Sequence, residues 1–105
     1  MTVYLMQIDF HTEGPFGAEM SEAYKPLAQD IASTNGLIWK IWTENAATSR
    51  AGGWYAFSDY ESLEAYKEMH CARLTSFGIT DIETKIFTPN VDLSVIDHFP
   101  AALIS

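Results

Sequence analysis

The chain has 105 residues, 48% hydrophobic and 13% aromatic, which suits one domain with one core. With 14 acidic and 6 basic residues its net charge is −8, so it repels phosphate backbones and anionic lipid, and neither nucleic acid nor a membrane is an expected partner. A single cysteine, Cys71, excludes an internal disulfide; no apolar run reaches the length of a bilayer, the chain opens without the pattern of a secretory leader, and a cytoplasmic location is expected.

Residues 2–11 alternate, with Tyr4, Met6, Ile8 and Phe10 on one side, and predict a first strand. Gly14-Pro15 breaks that pattern and suits a helix start near Pro15 or Phe16. Phe16, Met20, Tyr24, Leu27 and Ile31 then recur at helical spacing, with a kink or break expected at Pro26 and a stop near Asn35-Gly36. Leu37 to Glu44 reads as a second strand with apolar residues on both faces. Strict alternation puts Leu37, Trp39 and Ile41 on one side and Ile38, Lys40, Trp42 and Glu44 on the other.

A polar loop over 45–50 leads through Ala51-Gly52-Gly53 to a third strand, Trp54 to Phe57. Ser58-Asp-Tyr-Glu61 matches a capping box. The helix it opens carries Leu63, Tyr66, His70, Leu74 and Phe77 on one stripe, and Gly78 closes it. Cys71 beside that stripe reads as a small packing residue. A fourth strand follows over 79–88, with Ile82, Thr84 and Ile86 on one side, and a short helix over 92–98. The order β-α-β-β-α-β predicts an α+β, ferredoxin-like domain covering 1–105, a four-stranded antiparallel sheet with two helices on one face. The uncovered face then needs a partner, and a homodimer built sheet to sheet supplies one.

The ordered set Gly14-Pro15-Phe16-Gly17, Lys25-Pro26-Leu27-Ala28, Trp39-Lys-x-Trp-Thr-Glu44, Ala51-Gly52-Gly53 and His70-x-Ala-Arg73-Leu74 resembles the YdhR-type monooxygenase family of the dimeric α+β barrel superfamily. The resemblance covers about nine tenths of the chain. It implies a subunit that dimerises through its sheet, a pocket between sheet and helices, and oxygenation without a cofactor.

His70, on the apolar stripe of its helix, is the candidate catalytic base, or else a structural histidine bonded to backbone or tyrosine. Trp39, Tyr4 and Tyr55 are candidate substrate-binding walls, or plain core. Arg73, one turn from His70, either receives an anionic group or pairs with an acid. Lys40, Trp42 and Glu44 are expected at the dimer interface. His11, His70 and His98 lie on separate elements and no metal-ligand spacing occurs, so no metal is expected. Gly52-Gly53 leads into a strand rather than a helix, so no nucleotide cofactor is expected. The expected activity is cofactor-independent monooxygenation of a small electron-rich aromatic or polyketide-like compound. The alternatives are a cyclase, isomerase or dehydratase of the same fold, or a dimer that binds a small ligand without turnover.

Overall fold

A computed structural model describes residues 2–104. The elements run β1 (Tyr4–His11), α1 (Gly17–Ala23), α2 (Lys25–Ala32), β2 (Leu37–Asn45), β3 (Arg50–Phe57), α3 (Tyr60–Ser76), β4 (Glu83–Phe87) and α4 (Val91–Ile96). The four strands form one antiparallel sheet in the order β2-β3-β1-β4, and α1, α2 and α3 cover one face. This is the α+β, ferredoxin-like arrangement expected from the pattern.

Alternation in β1 sends Met6 and Ile8 into the layer under the helices, where both are fully buried. They pack there with Tyr55 and Phe57 of β3, Ile31 of α2, and Leu63, Tyr66 and Leu74 of α3. Ile82 and Ile86 join that core from the β4 side. The expected first helix is two. It breaks at Tyr24, and Pro26 sits in the first turn of α2, where its missing N–H costs no helical bond.

The start of α3 differs from the expected capping box. Asp59 is the N-cap, and its carboxylate accepts from the Ser62 backbone N–H at 2.8 Å and the Ser62 hydroxyl at 2.9 Å. Gly36, at φ +82°, brings the turn before β2 against this cap. A Cβ there would stand 2.5 Å from the Ser62 Cβ, so the close approach requires glycine.

The largest departure from strict alternation lies in β2. Leu37 pairs with Phe57 and Trp39 with Ala56, leaving Ile38 as an extra residue in a β-bulge. Beyond the bulge Lys40 pairs with Tyr55, Trp42 with Gly53 and Glu44 with Ala51, all on the helix-covered side. Trp39 and Ile41 turn to the open face, which also carries Leu5, Trp54 and Phe87. The expected sides of Trp39 and Trp42 are therefore exchanged. The C-terminal segment after α4 reaches this open face, where the Trp39 indole donates to the Leu103 carbonyl at 2.9 Å.

Candidate active site

Between the sheet and the helices lies a cavity of about 140 Å³. Its sheet side is Phe10, Lys40, Trp42, Ala51 and Tyr55; α1, α2 and α3 contribute Met20, Leu27, His70 and Leu74; Thr12, Gly14 and Pro15 come from the loop after β1. Tyr24, at the α1–α2 break, stacks on Trp42 with ring centroids 6.1 Å apart. Exposed Phe77 marks the open side.

His70 is 3% exposed and lies 5.0 Å from the Tyr66 ring, nearly parallel to it. Arg73 donates to His70 Nδ1 through Nε at 3.2 Å and Nη2 at 2.9 Å, and through Nη1 to Asp30 at 2.8 Å. Guanidinium is a pure donor, so Nδ1 is the acceptor and the proton of the neutral ring sits on Nε2. Nε2 has no partner among the described residues, and no sealed side-chain nitrogen lacks one, so Nε2 opens to the cavity. Burial, with the nearby cations Lys40 and Arg73, lowers the His70 pKa to about 3. The expectation for His70 was a general base. Its basic nitrogen is occupied by Arg73, and what it offers a ligand is an N–H.

Lys40 is the residue that sequence reasoning placed elsewhere. Its ammonium stands 3.4 Å from the centroid of the Trp42 ring and 4.8 Å from that of Tyr55, with no carboxylate partner among the described residues. Burial and the Arg73 charge lower its pKa to about 7. Gly53 makes room for its stem, because a Cβ there would stand 2.9 Å from Lys40 Cε. Burial pushes the Tyr55 hydroxyl far up, and Tyr66 up to about 12, so both phenols stay protonated at neutral pH.

The remaining expected residues divide by place. Tyr55 lines the cavity; Arg73 acts behind His70. Tyr4 is on the helix side but outside the lining, against Tyr60. Trp39 lies on the open face. Lys40 and Trp42 line the cavity on the helix-covered side of the sheet, away from the open face. Glu44 accepts the Gly17 N–H at 2.6 Å and so ties the start of α1 to β2. Tyr24 and the loop over 12–15 were not expected in the lining; the Tyr24 spacing from Met20 and Leu27 was the one available signal.

The ferredoxin-like α+β fold recurs in solved structures at low identity. The NE2512 protein of unknown function from Nitrosomonas europaea is 10% identical, with a TM-score of 0.65 over 86% of this chain and 91% of that one. The structural-genomics protein YJCS is 13% identical, with a TM-score of 0.59 over 86% and 98%. These likenesses are of fold. No curated protein matches the chain. Residues 5–100 match the family described as "Putative mono-oxygenase ydhR", and the chain belongs to that family.

The buried neutral imidazole has a consequence for stability. The folded pKa of His70 lies below its unfolded value near 6.5, so the unfolded chain binds the extra proton between pH 3 and 6.5. Stability from this group is therefore full above pH 6.5 and is lost as pH falls toward 3. Between pH 7 and pH 5 it falls by about 1 to 2 kcal/mol. Urea unfolding of His70→Gln should lack this part of the decline; an unchanged slope would place the imidazole in water.

Proposed function

We propose that this protein is a cofactor-independent monooxygenase whose substrate is a small electron-rich aromatic or polyketide-like compound carrying an acidic C–H beside a carbonyl or phenol. The observation that carries the reading is an amine without a counter-carboxylate beside an imidazole N–H, in a cavity walled by aromatic rings. The family's name points to the same reaction class.

Neutral Lys40 removes the proton, and the charge develops on the substrate oxygen. His70 Nε2–H and the Lys40 ammonium formed in that step stabilise this oxyanion in a site with little water. The electron-rich anion passes one electron to dioxygen, and the resulting radical pair closes a C–O bond. The hydroperoxide then loses water. In sum, one methylene group and one dioxygen become one ketone and one water: the carbon keeps one oxygen atom, and its two hydrogens leave with the other. Tyr55, Trp42 and Tyr24 hold the ring, and Arg73 holds His70 in the donating tautomer. The protonation state of Lys40 makes the rate rise with pH through about 7.

An oxygen electrode with phloroglucinol, a single electron-rich ring whose keto tautomer carries the methylene, tests this. One dioxygen should be consumed per ketone formed, and Lys40→Met should reduce the rate by roughly 10²–10⁴-fold. Product without oxygen uptake would instead make the protein a proton-transfer enzyme of the cyclase or isomerase kind. Saturable binding without turnover would make it a ligand binder.

The proposed partner is a second copy of the chain, joined through the open sheet face. Ile41 is 56% exposed there and Phe87 46%, with Trp54 6.1 Å from Phe87, an apolar patch beside Gln7 and Lys85 of the kind that subunit contacts cover. Leu93 and Ile96 of α4 are exposed as well. Sedimentation should give a dimer for the native chain and a monomer for Ile41→Asp. A native monomer at tens of micromolar would refute this arrangement.

A further inference from the structure

We propose that Lys40 is also a carbonyl-capturing nucleophile, which condenses with a small aromatic aldehyde held in the cavity to form an imine. It uses the cavity of the proposed oxygenation but needs no oxygen, so either can fail without the other.

The placement of Lys40 runs against the composition of the chain. With 14 acids to 6 bases, carboxylates are abundant, and Lys25 and Lys67 pair with Glu22 and Glu64. Lys40 instead has the faces of Trp42 and Tyr55 beside it. A carboxylate would hold the amine protonated and its lone pair unavailable. Burial and the neighbouring Arg73 charge favour the free amine, the condition in which a buried lysine attacks carbonyl carbon. The lowered pKa of Lys40 agrees with this.

Three further features suit an aldehyde. The volume of about 140 Å³ is close to that of cavities that admit one benzene-sized ring, ~150 Å³. His70 Nε2–H offers a hydrogen bond to the carbonyl oxygen, polarising it toward attack. Gly53 leaves the Lys40 stem free of a side chain that would otherwise press on it. In the reaction the nitrogen lone pair forms the C–N bond as the C=O π pair moves to oxygen. The amine's two hydrogens leave with that oxygen as water, so the aldehyde and the lysine amine become the imine and one water. No oxidant or reductant is needed.

The test uses the native protein and 4-hydroxybenzaldehyde at pH 7, with sodium cyanoborohydride to trap the imine as a secondary amine. Peptide mapping by mass spectrometry then reports each amine separately, including the terminal one. Lys40 should be labelled at least tenfold faster than Lys25, Lys67 and Lys85, and phenol, a single ring without an aldehyde, should slow Lys40 alone. Labelling of Lys40 at the rate of the exposed lysines, or none at Lys40, would overturn the proposal. Absence of phloroglucinol oxidation with selective Lys40 labelling intact would count against the oxygenase reading and leave this one standing.

Discussion

Between Leu37 and Trp39 the β2 strand carries one residue more than β3 can pair, and the composition of the cavity depends on that excess. A shift of one residue in a strand moves every later side chain to the other face. Without the bulge, Trp39 and Ile41 would sit beneath the helices, and Lys40 and Trp42 would lie on the open face. With it, the cavity receives a cation and the aromatic face that cation rests on, while the open face receives Trp39 and Ile41 beside Leu5, Trp54 and Phe87. One backbone irregularity thus sets both the chemistry under the helices and the surface offered to a partner.

The electrostatics follow from that placement. Asp30 holds Arg73, Arg73 holds His70 Nδ1, and the imidazole is left neutral with its proton on the cavity side. The Arg73 charge opposes protonation of both Lys40 and His70, so the interior holds a neutral imidazole and an amine that gives up its proton near neutral pH. Such a site favours a ligand that becomes anionic as it reacts, because the ammonium formed at Lys40 and the imidazole N–H are already in place when charge develops. The surrounding acidic surface favours neutral ligands over anionic ones at the stage of entry.

The element order and most of the core were legible because periodicity reports them directly. Met6, Ile8, Leu63, Tyr66, His70 and Leu74 all lie inside as their spacing predicts. A break near Pro26, found at Tyr24, was legible for the same kind of local reason. The site was less so. A bulge leaves no residue signature when the strand is apolar on both faces, as Leu37 to Trp42 is, so alternation gave Lys40 and Trp42 the wrong side. The role of His70 depended on which nitrogen Arg73 reaches, and that is a matter of three-dimensional approach, not of the spacing of three between them. Tyr24 and the loop over 12–15 enter the lining through a helix break and a chain reversal, neither of which a periodic pattern records.

The chemistry proposed for the cavity rests on Lys40 being an inward, desolvated amine. Its titration can be followed by NMR of the lysine side chains with ¹³C at Cε, assigned by comparison with Lys40→Arg. A midpoint near 7 for Lys40 is the predicted result. A midpoint near 10.4 for Lys40 would put its amine in water and contradict the account.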